Sequence, residues 1–259
     1  MTGTSDPCQF LQWDTDFFGY RIARIEVHKL EAEQMDAIEL WSRHHSIDCL
    51  YFLAESNDPQ TIRFAENSGF RLVEIRITFE RMLNNWDPET RPRTAEDVLI
   101  RKFRSEDLPI LKRIARNSYV DSRFYFDDKF SEEKWQAYYE TWVTKSCQGG
   151  ADLVLVAEKE EEVVGYITGL IDKNTQEGIY ELTGVKESAR KSGVGQELFR
   201  SGLDWYVRSG VKSIWVATQG RNIPTQRMIQ RNGFITRSCQ LYYHRWLDRN
   251  QTPNGSSPR

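Results

Sequence analysis

The residues with the clearest chemical potential form a run of six, 190–195, with the sequence Arg-Lys-Ser-Gly-Val-Gly. The run lies between a strand-like segment, residues 179–185, and a helix-like segment, residues 196–209. A turn that opens a helix leaves main-chain N–H groups free, and these donors together with the helix dipole favour a phosphate. The two glycines lack a Cβ atom, so a ligand can approach the main chain closely. A diphosphate-binding site is therefore predicted at Arg190, Lys191, Ser192, Gly193, Val194 and Gly195.

The spacing of this turn differs from two common nucleotide-binding patterns. It matches neither GxxxxGK[ST] nor GxGxxG. Taken alone, the six residues could also form a strand-to-helix turn that binds no ligand. A second motif follows: a β-rich run at residues 213–218, then Asn222 as a helix N-cap before Pro224, and a helix that stops at Gly233. Two motifs in this order are more specific than either one.

Together these motifs resemble the GNAT superfamily of acyl-CoA-dependent N-acyltransferases. The resemblance implies an α/β (α+β) fold with a mixed central sheet flanked by helices, and acetyl-CoA or another acyl-CoA as co-substrate. In this superfamily the strand before the turn parts from its neighbour and its backbone binds the cofactor's pantetheine. That role implies Leu182, Thr183, Gly184 and Val185 as cofactor-binding residues, with Gly184 easing close approach and Asn222 contributing from the next helix start.

The elements that must position this site extend over most of the chain. A strand at 98–102, a helix from Ser105 and a hairpin of 153–158 with 163–171 precede the turn, so a catalytic GNAT domain is expected at residues 97–247. Residues 1–85 contain the same order of features as the second motif: a strand, a helix that starts at an Asn followed by a Pro, and a Gly-Phe pair after the helix. This repetition predicts a degenerate GNAT-like N-terminal domain; chance convergence of a βαβ unit is the alternative. Residues 86–96 are expected to be a linker and residues 248–259 a disordered tail.

Composition narrows the class of protein. The 259 residues carry a net charge of −3, which gives no global reason to bind nucleic acid or an anionic membrane. The sequence contains no apolar run of 18 residues, so no membrane span is expected. The four cysteines and four histidines are scattered without metal-site spacing, so no metal is expected. A cytoplasmic setting is the simplest interpretation, and the sequence leaves the choice between monomer and homodimer open.

Acyl transfer needs a base for the amine, a donor for the oxyanion and support for the departing thiolate. Glu181 is the candidate base, with a structural strand carboxylate as the alternative. Many superfamily members place a tyrosine, the general acid, seven residues after the helix-starting Asn, but that count leads to Ile229 here. The acid could instead be Tyr242 or Tyr243, water could serve, or the thiolate could leave unassisted.

The acceptor class rests on a finer resemblance. Residues 13–19, 122–124 and 216–219 are similar to the family of N-acetyltransferases that act on dTDP-4-amino-4,6-dideoxygalactose. The resemblance implies a dTDP-linked amino sugar as partner. The departure at Ile229 leaves open a different acyl donor or a different amine position, for example a bulkier acyl group such as 3-hydroxybutyryl. Alternatives are a different amine (a protein N-terminus, a polyamine or an antibiotic) and a non-catalytic CoA-binding module. The candidate substrate-binding residues are Arg123, Phe124 and Tyr125.

The helix that follows this loop carries a group of aromatic residues whose spacing favours a place in the core. They are Trp135, Tyr138, Tyr139 and Trp142.

Overall fold

A computed structural model describes residues 6–27, 29–87, 95 and 97–247. The chain divides into two compact units, the first formed by Met1–Ile75 with Cys239–Arg259 and the second by Arg76–Ser238. Most of the expected linker, and the tail expected to be disordered at 248–259, lie outside the described residues. The unit boundaries fall inside two strands, β4 (Arg71–Met82) and β10 (Ile235–Trp246), so each strand contributes residues to both units.

The first unit combines short strands with three helices. In chain order its elements are β1 (Cys8–Phe10), α1 (Gln12–Phe18), β2 (Ile22–Ile25), α2 (Ala32–His44), β3 (Cys49–Glu55), α3 (Pro59–Asn67), the start of β4 and the end of β10. Strand β2 pairs antiparallel with β1 and parallel with β3, and β3 pairs antiparallel with β10. Helix α3 begins where the Asn-Asp-Pro signal predicts, because the Asp58 side chain accepts hydrogen bonds from the N–H groups of Gln60 and Thr61.

The second unit holds the predicted turn. Its further elements are β5 (Leu99–Lys102), α4 (Leu108–Arg116), α5 (Glu132–Lys145), β6 (Leu153–Lys159), β7 (Glu162–Ile171), β8 (Gly178–Val185), α6 (Val194–Arg208), β9 (Ser213–Gln219) and α7 (Ile223–Arg231). The strands are ordered β4-β9-β8-β7-β6-β5, antiparallel except for the parallel pair β8–β9. This mixed sheet flanked by helices confirms the predicted fold class.

Two tyrosines seat α6 on the sheet. The Tyr180 hydroxyl donates to the carbonyl of Phe199 at 2.6 Å, and the Tyr206 hydroxyl donates to that of Ile179 at 2.6 Å. A Cβ atom at Gly202 would collide with the Tyr180 hydroxyl, so the missing side chain lets the ring reach the helix backbone. Because these hydrogen bonds attach β8 to α6, they fix the positions of both elements that flank the turn at residues 190–195.

Helices α4 and α5 pack on the sheet with a separate set of buried side chains. Trp135, Tyr138 and Tyr139 are buried, which confirms the core interpretation for these three, while Trp142 is half-buried. The helix predicted from Ser105 corresponds to α4, which ends at Arg116 because Asn117 departs from helical geometry at the C-cap.

An ion-pair network fixes the start of α4. Arg101 on β5 donates at 2.8 Å to both Asp107 and Glu158. The hydrogen bond from Arg101 lowers the pKa of the Asp107 carboxyl, against the opposing effect of burial.

Candidate active site

The predicted turn enters α6 without a side-chain cap. Lys191 and Gly193 both have left-handed backbone angles, with φ of 63° and 87°, and Gly193 is the N-cap residue. Gly193 supplies no side-chain cap to the first N–H groups of this helix, and the Ser192 hydroxyl turns back to the carbonyl of Ala189 at 2.8 Å. The N–H groups at the start of α6 are therefore available to an anion.

Two exposed cations stand at this turn. Arg190 donates to the carbonyl of Val185 at 3.3 Å and makes a long contact of 3.5 Å with that of Asn117. These weak bonds hold the guanidinium near the end of β8, and Lys191 is exposed beside it. The charges are placed to attract a diphosphate at the start of α6.

Strands β8 and β9 part next to the turn. Their described parallel pairing runs from Gly178↔Ile214 to Tyr180↔Val216, although β8 continues to Val185 and β9 to Gln219. Residues 181–185 therefore have an edge that β9 does not cover in the described register. Parted parallel strands that end beside an uncapped helix start give an elongated ligand both main-chain donors and an anion site.

A β-bulge on β8 lies where the parting begins. Thr168 of β7 is opposite two residues, Glu181 and Leu182, because the register moves from Gly169↔Tyr180 to Ile167↔Thr183. The N–H of Leu182 donates to the Thr168 hydroxyl at 3.2 Å instead of to a backbone carbonyl. Bulges re-aim side chains and end strand pairing, and they are common beside active sites.

The pairing pattern also fixes where the backbone of β8 points beyond the bulge. Lys186 N–H bonds the carbonyl of Val164, so antiparallel alternation turns the N–H and C=O groups of Thr183 and Val185 away from β7. These are the groups on the uncovered edge. They can hydrogen-bond amide and thioester groups of a ligand between the parted strands.

Gly184 has a packing reason as well as the predicted cofactor role. A Cβ atom there would lie 2.6 Å from Cε1 of Tyr166 and 2.9 Å from Cγ2 of Ile114. A larger residue would displace the Tyr166 ring. The glycine thus serves close packing of α4 and β7 against β8, a reason that the sequence does not reveal.

Glu181 faces α5 and has a perturbed carboxyl. Burial raises its pKa, a hydrogen bond with Trp142 opposes the rise, and the charge of Asp152 adds to it. A carboxylate with a raised pKa at the point where two strands part suits a general base. Its role as the base stays a prediction.

The next helix start is built from polar side chains. Asn222 caps α7 by accepting from the N–H of Thr225 at 3.3 Å. Gln226 donates at 2.9 Å to the carbonyls of both Gln219 and Gly220, which holds the turn after β9. The cofactor contact predicted for Asn222 stays a prediction, and Ile229 is completely buried in the core.

The predicted acceptor residues differ in accessibility. The Arg123 guanidinium lies 4.2 Å from the centroid of the Phe124 ring, and Phe124 is fully buried, whereas Tyr125 is 51% exposed. Two further side chains lie together next to this loop and were not among the predicted site residues. Phe126 is 41% exposed, and the Arg221 guanidinium lies 3.7 Å from the Phe126 ring centroid. The position of Phe126 directly after Tyr125 was the available signal.

The two candidate acids on the last strand lie in the first unit. Tyr243 is fully buried and its ring centroid is 6.4 Å from that of Phe52. Tyr242 is buried beside Tyr51, with 5.9 Å between the ring centroids. A catalytic role for either tyrosine stays a prediction.

Two features are absent from the described part of the chain. No group of three or more His, Cys, Asp or Glu side chains among those residues is placed to hold a metal ion. No helix in the same ranges has the length and apolar character to cross a membrane.

Residues 114–234, which include the turn, the bulge and the parted strands, match the family model described as the acetyltransferase (GNAT) family. This part of the second unit is therefore similar to GNAT acetyltransferases over somewhat less than half of the chain. Over 140 residues the chain is 26% identical to the spore coat polysaccharide biosynthesis protein SpsD of Bacillus subtilis (strain 168), a match that covers 54% of this chain and 48% of the relative. The chain thus matches about half the length of that protein.

Solved structures share the fold at low identity. A functionally unknown conserved protein from Staphylococcus epidermidis ATCC 12228 superposes with a TM-score of 0.67 at 13% identity, covering 95% of this chain and 94% of its own. A tandem GNAT protein from the clavulanic acid biosynthesis pathway gives a TM-score of 0.62 at 16% identity, with 90% of this chain and 77% of its own covered. At these identities the likeness concerns the fold alone.

Proposed function

We propose that the protein is an acyl-CoA-dependent N-acyltransferase. The observation that carries the proposal is the parting of β8 from β9 after Tyr180↔Val216, directly beside an uncapped helix start with two exposed cations. An acyl-CoA has the matching chemistry, because its diphosphate, amide-bearing arm and thioester follow one another along a chain. No metal ion takes part in the proposed reaction.

Groups at the start of α6 and on β8 carry out the proposed steps of acyl transfer. The diphosphate binds the N–H groups at the start of α6 and the Arg190 guanidinium, and the pantetheine amides bind the uncovered backbone of Val185. The N–H of Thr183 donates to the thioester carbonyl and stabilises the oxyanion as the amine attacks. Glu181 takes the proton from the amine nitrogen, and the C–S bond then breaks with its electron pair going to sulfur.

The acceptor we propose is the amine of a dTDP-linked amino-dideoxy sugar. Exposed Tyr125 and Phe126 offer aromatic edges and faces for a base or a hexose, while Arg221 and Arg123 bring charge for a diphosphate. The name of the Bacillus subtilis relative, a spore coat polysaccharide biosynthesis protein, supports a sugar-related acceptor. The transferred group is acetyl or a short acyl such as 3-hydroxybutyryl.

Calorimetric titration tests the proposed enzyme class, and the mass of the product tests the proposed acceptor. Titration with acetyl-CoA, 3-hydroxybutyryl-CoA and CoA should release or absorb heat at one site per chain, and silence with all three would refute the enzyme class. Mass spectrometry after incubation with dTDP-amino sugars and a panel of other amines should show the acyl mass on the sugar. An acylated amine of another kind would replace the acceptor assignment.

One observation favours a second candidate, a CoA-binding module without catalysis. Ile229 occupies the position seven residues after the helix-starting Asn222 and is completely buried, so it offers no proton donor there. Saturable CoA binding without acyl transfer to any amine in the panel would support this candidate.

A further inference from the structure

The proposed reaction needs support for the departing thiolate, and α7 does not supply it at Ile229. A hydroxyl group does reach the uncovered edge of β8 from another element. The Tyr119 hydroxyl, in the loop after α4, donates to the carbonyl of Thr183 at 3.3 Å. It also lies 3.0 Å from the hydroxyl of Tyr166 on β7.

The position of this hydroxyl follows from the strand pairing. The N–H and C=O of Thr183 leave the same edge of β8, the edge turned away from β7. The Tyr119 hydroxyl is therefore on the side where the thioester carbonyl would meet the N–H of Thr183. A sulfur atom bonded to that carbonyl carbon would come next to this hydroxyl.

Packing holds the tyrosine in this place. Its ring stacks on Tyr139, with centroids 4.1 Å apart and planes 20° apart. The Tyr166 ring lies over Gly184, where a Cβ atom would collide with it, so the partner hydroxyl is also fixed. Because the ring and the hydroxyl oxygen are already in place, only the O–H proton has to turn when the reaction begins.

We propose that the Tyr119 hydroxyl turns its proton from the Thr183 carbonyl to the sulfur and donates a hydrogen bond to it as the C–S bond breaks, while the Tyr166 hydroxyl donates to the Tyr119 oxygen. This inference rests on the proposed acyl-CoA function. The amine proton goes to Glu181, the C–S electron pair goes to sulfur, and the resulting thiolate is held by Tyr119 until it takes a proton from protonated Glu181 through solvent. Atoms and charge balance with no further reactant.

The ionisation of the tyrosine fits a donor that keeps its proton. Burial of the hydroxyl, followed by the influence of Tyr166, raises the pKa of Tyr119 well above its ordinary value. A CoA thiol with a pKa of about 8.5 is the stronger acid. The Tyr119 hydroxyl therefore stabilises the thiolate without giving up its proton.

The test measures the acidity of bound CoA, which needs no acceptor. In Tyr119→Phe the ring and its stack on Tyr139 remain and only the hydroxyl is lost. The thiol pKa is read from thiolate absorbance against pH, as a difference from the complex with desulfo-CoA. We expect it to be higher in the variant than in the wild type by about one unit, a tenfold change in thiol acidity. With turnover, kcat should fall about 100-fold while KM for acyl-CoA changes less than about threefold.

Two further variants separate this role from packing. Tyr166→Phe removes only the supporting hydroxyl and should give a smaller shift in the same direction. Tyr139→Phe keeps the stacked ring and should leave the thiol pKa unchanged. An equal thiol pKa and kcat in the wild type and Tyr119→Phe would overturn the assignment.

The remaining outcomes separate this inference from the proposed function. Absence of CoA binding by the wild type would overturn both. A thiol pKa that depends on Tyr119, without acylation of any amine, would support the sulfur contact and reject the catalytic function.

Discussion

Replacing Gly193 with alanine tests whether the main chain before α6 holds a diphosphate. The residue has φ 87° and ψ −10°, and left-handed geometry costs an L-residue about 1–2 kcal/mol. If the turn relaxes in the variant, CoA must restore it on binding and the same free energy is lost from affinity. Since 1.4 kcal/mol is a factor of ten, Kd for CoA should rise about 5- to 30-fold.

A matched control lies just beyond the other end of the same helix. Gly210 has φ 78°, and a Cβ atom there would meet no heavy atom within 4 Å. Gly210→Ala should therefore lower the free energy of unfolding by the same 1–2 kcal/mol while leaving Kd for CoA unchanged. Urea denaturation measures the first quantity and calorimetric titration the second.

A second ligand isolates the diphosphate contact. Pantetheine has the amide-bearing arm and the thiol of CoA but lacks the diphosphate, so its affinity should be the same in wild type and Gly193→Ala. If Gly193→Ala loses less stability than Gly210→Ala, which shows that the turn has relaxed, but binds CoA as tightly as the wild type, the turn does not hold the diphosphate. Equal losses of affinity for CoA and pantetheine would point to a displaced β8 instead.

Three other perturbations test the frame around the site. Burial raises the pKa of Glu181 above its ordinary 4.5. The free energy of unfolding of the wild type should therefore fall relative to that of Glu181→Gln as the pH rises through the raised pKa. Urea denaturation measures this difference, and equal pH profiles of the two proteins would refute the prediction. Because Arg101 lowers the pKa of Asp107 below 3.8, Asp107→Asn should cost about 1.5–3 kcal/mol at pH 7, and its difference from the wild type should shrink below pH about 4. Lys186 forms an exposed ion pair with Glu162, so the control variant Lys186→Ala should stay within about 0.5 kcal/mol of the wild type. Gly202→Ala should cost about 1–3 kcal/mol in thermal or urea unfolding, because the new methyl group meets the Tyr180 hydroxyl; wild-type stability would contradict the described seating of α6.

Local signals predict much of the second unit. The turn at 190–195, the N-cap Asn222 and the glycine after α7 each act through their own neighbours, so their structural effects can be inferred from a short stretch of sequence. The buried aromatic face of α5 was likewise apparent from spacing alone. The burial of Phe124 was not apparent, because a loop residue gains its neighbours, here Phe130 and Tyr138, from the fold.

Distant contacts explain what the sequence could not predict at the site. Tyr119 and Thr183 are 64 residues apart, and their hydrogen bond depends on how the loop after α4 meets β8. The pairing of Arg221 with Phe126 brings together the turn after β9 and the same loop. Neither pair leaves a periodic or spacing signal. The sequence therefore indicated Tyr242 and Tyr243 as candidate acids and Arg123, Phe124 and Tyr125 as acceptor-binding residues instead.

The bulge at Glu181 and Leu182 connects the fold to the proposed chemistry. A regular strand would alternate, so Tyr180, whose hydroxyl reaches α6, would share a face with Leu182 and Gly184. The structure instead turns the Cβ direction of Gly184 toward Ile114 of α4 and brings the Val185 side chain toward Gly195 of α6. One extra residue reverses the alternation. Glu181 meets Trp142 on α5, and beyond the bulge the backbone of Thr183 faces the uncovered edge. The proposed base and the proposed oxyanion donor are therefore on adjacent parts of one strand.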